Sequence, residues 1–379
     1  MDASLIVAVF MVGAAVLAFE WGISSAILEI FAGIIGAYFF VGTGTLDWLN
    51  FLANLGMLGL MFMVGFEVDV NRLCETWRAS VGIGVMALLL PAAGVFALAH
   101  WVFDLSLLAS ALLCIFLSTT SLALVYHALR EAGSLQTEHG QILVEAASVV
   151  DALAMVALAP LMGDVGWGTG IFLLVVVPLI LGLPRFGEWI FRRYRGSLVE
   201  FGLRFLLALL IAMGAMTEHI AGIHSAVVAF ALGIVMSELV EEHEALEQKL
   251  KGIVFSFLAP AFFLHAGMQP NVREFSLELI GTAAAFLVVA CSLKYLGTAL
   301  PFQWFLKSSD RFAGLLFNYR LSFGIIAASV GLNVGILDAR LYAVVLLVIV
   351  AIAALPALFL RDRPAEWNED CKFVLGEAS

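Results

Sequence analysis

Val144–Ala159 reads VEAASVVDALAMVALA, an apolar run with one carboxylate, Asp151, near its middle. The surrounding stretch, 139–162, is long enough as a helix to cross the ~30 Å hydrocarbon core of a bilayer. Asp151 then sits about 18 Å along that helix from its first end. A lone carboxylate at such depth either keeps its proton or holds a cation, and an intramembrane acid is read first as functional. The structural alternative is an Asp hydrogen-bonded to a neighbouring helix.

The rest of the chain fits a bilayer. Of its 379 residues 63% are hydrophobic and 13% charged, with a mean hydropathy of +1.04. Soluble domains carry roughly 45–50% apolar and about 25% charged residues. The net charge of −11 and the scarcity of basic clusters argue against a nucleic-acid partner. Cys74, Cys114, Cys291 and Cys371 form no C-x-x-C pair and read as free thiols, with no cofactor or disulfide framework. The first apolar run lacks a basic leader and a small-residue cleavage site, so it reads as a retained helix.

Thirteen apolar runs are expected to span: 4–19, 22–41, 47–68, 80–102, 105–127, 139–162, 169–186, 199–219, 221–238, 252–268, 277–299, 311–331 and 340–361. Residues 1–361 are thus expected to form one transmembrane domain, with 362–379 a short tail. Of the 19 Lys and Arg residues, all but five fall in alternate loops and the tail, including Arg192, Arg193, Arg195, Lys249 and Lys251. Only Arg273 and Arg340 fall on the other side, and Arg204, Lys294 and Arg320 lie within spans. The positive-inside rule places the N-terminus outside and the C-terminus in the cytoplasm. Six helices on either side of a seventh relate each helix to one seven spans later. Seven is odd, so the halves are inverted, the architecture expected of a secondary transporter.

Other polar groups share the spans. Lys294 in FLVVACSLKYLGTAL calls for an anion, with Asp151 the candidate, unless it snorkels to the cytoplasmic face. Arg320 in FNYRLSFGIIAAS stays charged and must be paired or face water. Glu145 points about 120° away from Asp151 around the same helix, so it reads as an interhelical contact. Glu67 reads as an interface anchor and Arg204 as a snorkelling residue. Ser118, Thr119, Thr120 and Ser121 form a hydroxyl cluster in an apolar span. Their oxygens suit monovalent cations and satisfy the backbone of an unwound helix, though small polar residues also pack helices together. No Gly or Pro interrupts this span, so composition alone does not break it. His224 and His265 read as packing residues more readily than as titrating ones.

Several stretches resemble the monovalent cation:proton antiporter superfamily, in its bacterial sodium/proton and potassium-efflux branch. GISSAILEIFAGIIGA carries Glu29, Gly33 and Gly36 as in the early helix of that family. NLGMLGLMFMVGFEVDVNRL matches its G-L-E-L-D with Gly65, Phe66, Glu67, Val68 and Asp69. LSTTSLALVYHALREAGSLQTEHGQ is similar to its S-S-T-A helix, GIHSAVVAFALGIVMSE and LAPAFFLHAGM to two later glycine motifs, and SLKYLGTAL to G-K-x-L-G-T. The match runs over nearly the whole chain.

The resemblance implies two crossed, broken helices beside a carboxylate, a core moving against a dimerisation domain, and a homodimer. It places Asp151 as the cation- and proton-binding aspartate, Thr120 at the threonine of the unwound helix and Lys294 at the core lysine. Two positions depart: Val150 stands where Asp, Asn or Gln is usual, and Arg320-Leu321-Ser322-Phe323 replaces R-G-E-F, keeping the arginine without the glutamate. Family members with one acid at this depth tend to be electroneutral.

The expected protein is an all-α transporter of the inner or plasma membrane, not an enzyme, exchanging Na⁺ or K⁺ for protons by alternating access. Asp151, Thr120, Thr119 and Ser118 form the ion site, with Lys294 and Arg320 balancing charge. The alternatives are an uncoupled cation conduit, a transport-silent sensor or assembly subunit, and an organic-anion symporter.

Overall fold

The computed structural model describes residues 3–21, 23–39, 47–68, 70–162, 182, 201–220, 224–241, 244–270, 276–307 and 311–359. Among these, every regular element is a helix. The first half holds α1 (Ala3–Trp21), α2 (Ser25–Phe39), α3 (Asp47–Phe66), α4 (Val70–Ala97), α5 (Leu107–Phe116), α6 (Leu122–Glu131) and α7 (Glu138–Met162). The second holds α8 (Phe201–Ile220), α9 (Ser225–Glu241), α10 (Glu244–Ile253), α11 (Ala259–Met268), α12 (Leu277–Leu306), α13 (Arg311–Leu316), α14 (Ser322–Asn333) and α15 (Ala339–Phe359). A π-turn, Val254–Leu258, joins α10 to α11, and another, Leu98–Val102, extends α4.

Six helical stretches among the described residues are long and apolar enough to cross a membrane, and six shorter apolar helices accompany them. The chain is a multi-span membrane protein. The expected seventh span, 169–186, and the tail, 362–379, lie outside the described residues.

Two of the expected spans are interrupted, as the crossed, broken helices implied by the resemblance require. Residues 105–127 and 311–331 are not continuous helices: the first stops at Phe116 and restarts at Leu122, the second stops at Leu316 and restarts at Ser322. No half-helix here exceeds 12 residues, or about 18 Å, so none crosses a ~30 Å core alone.

The described residues form two compact units, each built from both halves of the chain. One draws on residues 1–68 and 159–273, the other on 69–158 and 274–379. In the first unit α2 packs on α11 and α3 on α9. Both crossings are made by glycine against backbone. A Cβ on Gly33 would lie 2.1 Å from Leu264 O, and one on Gly267 would lie 2.1 Å from Ile30 O. The other crossing repeats this, with Gly233 at 2.1 Å from Phe62 O and Gly65 at 2.0 Å from Phe230 O. Small residues let membrane helices approach until their backbones touch. Gly33 and Gly233, like Ile30 and Phe230, are two hundred positions apart, so the repeat is written in backbone contacts where side-chain identity has been lost.

The second unit holds α4 to α7, up to residue 158, with α12 to α15. The long helices α4 and α12 pack along each other, and α5 contacts both α4 and α14. Side-chain caps start the elements. The Ser106 hydroxyl accepts from Ala109 N at 3.2 Å, and Ser276 accepts from Leu279 N at 3.2 Å. Thr137 accepts from Gly140 N at 3.0 Å at the head of α7. Each supplies an acceptor to an amide that lacks an intrahelical partner.

Candidate ion site

The two breaks, 117–121 and 317–321, are also two hundred positions apart. They meet in the second unit. Ser121 N donates to Tyr319 O at 2.7 Å, joining the two breaks backbone to backbone. The Thr120 hydroxyl donates to Phe317 O at 3.4 Å. In return, Arg320 Nη1 donates to Leu117 O. The first of these side chains reaches the carbonyl just past α13, the second the carbonyl just past α5.

These contacts explain how the chain unwinds without Gly or Pro. A helix that stops in a membrane frees carbonyl and amide groups that have no water to turn to. Thr119 Oγ1 donates to Phe116 O at 3.2 Å. Lys294 Nζ donates to Ser118 O at 2.5 Å. Asn318 Nδ2 donates to Gly314 O at 3.1 Å and to Cys291 O at 3.5 Å. Side-chain donors thus serve several of the carbonyls that α5 and α13 release.

The expected ion-site residues Ser118, Thr119 and Thr120 all lie in the first break, at most 1% exposed. Asp151 is 1% exposed on α7, and Val150 beside it is fully buried. Lys294, on α12, is fully buried, and both Asp151 and Arg320 lie within electrostatic reach of its ammonium. Its hydrogen bond goes to a backbone carbonyl of the break, and its ammonium is 5.9 Å from the centre of the Phe317 ring. Lys294 is therefore not a snorkelling residue.

Arg320, fully buried, uses backbone acceptors: Nη2 donates to Ala290 O at 3.1 Å, alongside the bond to Leu117 O. A guanidinium spanning two helices in this way is held by its fixed fork of donors. Ser322, in place of the family's glutamate, opens α14. Glu145 is buried on α7 at 3% exposure. His224 Nδ1 lies 3.2 Å from Ala226 N at the head of α9, and His265 bonds to Gln269, both packing contacts. Arg204 is exposed on the surface of α8.

Asn318 and the carbonyl of Phe317 were not singled out by sequence reasoning. The available signal was a polar triplet, Asn318-Tyr319-Arg320, inside an apolar run, the counterpart of the hydroxyl cluster at 118–121.

Two broken helices that meet at a buried lysine, itself within electrostatic reach of a buried carboxylate, have the arrangement expected of a secondary transporter core. Residues 5–361 match the family described as sodium/hydrogen exchanger, transmembrane, and the chain belongs to that family. Among its relatives is "Probable Na(+)/H(+) antiporter 3" of Methanocaldococcus jannaschii, 28% identical over 330 residues, covering 83% of this chain and 84% of the relative. "Na(+)/H(+)-K(+) antiporter GerN" of Bacillus cereus is 25% identical over 350 residues, covering 87% of each. The fold is similar to that of the sodium proton antiporter MjNhaP1 from Methanocaldococcus jannaschii, with a TM-score of 0.65 at 14% identity over 94% of this chain and 95% of that one.

Proposed function

We propose that the protein exchanges Na⁺ or K⁺ for protons by alternating access, with Asp151 carrying either ion. The observation that carries this reading is the burial of Asp151, mid-helix on α7, in the unit where both breaks cross and beside Lys294. Oxygens of Ser118, Thr119 and Thr120 complete the cation's shell. The family and the relatives named for Na⁺/H⁺ and K⁺ exchange support the choice of ions.

One carboxylate binds one proton or one monovalent cation, and Val150 cannot add a second charge. Both loaded forms then carry equal charge, so exchange is electroneutral. The working protein is a homodimer in the inner or plasma membrane, with its N-terminus outside and C-terminus inside. Proton flux in proteoliposomes, driven by added Na⁺ or K⁺, tests the reading. Flux that is absent in the wild-type chain under both gradients overturns it.

A further inference from the structure

The crossing contains a symmetry that charge balance does not explain. Position 120 in the first break and position 320 in the second correspond, two hundred residues apart. So do 117 and 317. Thr120 donates to the carbonyl of Phe317, and Arg320 donates to the carbonyl of Leu117. Each break is closed by the side chain at the same place in the other.

We propose that Thr120 and Arg320 are a matched pair of positioning residues, each holding the broken helix of the opposite repeat. The inference rests on the exchange reading above and deepens it. The role for Arg320 differs from the charge-balancing one expected for it. Its two hydrogen-bonded nitrogens both find backbone carbonyls, one in the break and one, Ala290 O, on α12. Nε of Arg320 has no hydrogen-bond partner among the described residues, so the fork is set by those two carbonyls. The Thr120 hydroxyl proton is likewise committed to Phe317 O, leaving its oxygen lone pairs for a passing cation.

Among the described residues, the carbonyls of Leu117 and Phe317 each take their side-chain donor from the opposite repeat. Thr120 and Arg320 act through the backbone of the partner break, and the Ser121 N to Tyr319 O bond lies between them. Loss of either side chain therefore loosens both breaks. A residue serving only its own segment, or only the charge of the core, loosens at most one.

The test uses the full chain with Thr120→Val and Arg320→Met. Hydrogen exchange is read separately at 117–121 and 317–321. The expected result is faster exchange in both segments for each variant, about fivefold for loss of the neutral bond and more than about tenfold for the charged one. Acceleration confined to the mutated segment overturns the proposal. This readout does not depend on transport, so it stands apart from failure of the exchange reading.

Rescue gives a second readout. In a chain whose native cysteines are replaced by alanine, Ser121→Cys with Tyr319→Cys permits a disulfide beside the lost bond. Oxidation in the Thr120→Val background is expected to return hydrogen-exchange protection at 117–121 and 317–321 to within about twofold of the same pair carrying Thr120, the residual being less than one hydrogen bond's worth. Exchange that stays fast in both segments although the disulfide has formed shows that the Thr120 hydroxyl does not act by holding the crossing, and overturns the assignment. Arg320→Lys, which keeps the charge but not the two-pronged reach, is expected to fall between wild type and Arg320→Met. Full wild-type exchange protection in Arg320→Lys assigns the charge alone and also overturns it.

Discussion

The two units solve the same geometric problem with opposite chemistry. Each contains a pair of contacts related by the repeat, and each contact is made at backbone carbonyls. In the first unit the group facing the carbonyl is the bare Cα of a glycine: Gly33, Gly267, Gly65 or Gly233. In the second it is a hydroxyl or a guanidinium, from Thr120 or Arg320. The glycine crossings join unbroken stretches of helix, whose carbonyls are already satisfied within the helix. The polar crossing joins helix ends, whose carbonyls are not. One contact therefore adds packing, and the other keeps two unwound segments in place beside a buried acid. The repeated contacts of the two units thus differ in the groups placed against their carbonyls.

The largest effect that sharpens this contrast is expected at Asp151. Asp151→Asn keeps the size but cannot cycle a proton. Cation-driven proton flux is expected to fall to the level of empty liposomes while the thermal unfolding midpoint stays close to wild type. Wild-type flux in that variant removes Asp151 from the mechanism and dissolves the contrast.

The glycine crossings come next. Gly33→Ala and Gly233→Ala each place a methyl against a backbone oxygen that cannot yield as a side chain can. Overpacking of this kind costs about 1–3 kcal/mol. The check is thermal unfolding in detergent, with Gly13→Ala on α1, where a Cβ meets nothing within 4 Å, as the control. Both crossing variants are expected to unfold at lower temperature than the control while flux per folded molecule holds. Equal unfolding temperatures for all three contradict the backbone contact.

The smallest expected effect is a null one. The membrane potential does about 2.3 kcal/mol of work per charge per 100 mV. If one proton is exchanged for one cation, that work cancels over the cycle. Flux end points in proteoliposomes clamped at different potentials are expected to coincide. A systematic shift assigns a second proton carrier, and Lys294, fully buried on α12, is the group to test.

Much of this organisation was legible in the chain. Apolar runs long enough to cross a bilayer marked most helices, and Asp151 and Lys294 stood out as charges where charge is costly. The breaks were only partly legible. Residues 118–121 offered hydroxyls but no helix breaker, because the unwinding is held by partners nearly two hundred residues away rather than by local backbone preference. Arg320 was visible as a buried cation. Its acceptors were not, since the carbonyls of Leu117 and Ala290 belong to every residue type alike. The repeat was inferred from the parity of spans. Its clearest trace, the matched glycines, depends on contacts that no pattern within one helix encodes.

The glycine crossings also set a timetable for biosynthesis. Ile30 and Gly33 meet Gly267 and Leu264, residues made more than two hundred positions later. At roughly 5–20 residues per second, a ribosome leaves α2 without that partner for about 10–50 s. Phe62 and Gly65 wait for Phe230 and Gly233 in the same way. Throughout this interval the glycine faces of α2 and α3 lack the backbones they pack against in the finished fold. The first half is thus a waiting template, and an arrest of translation before residue 230 leaves neither crossing formed.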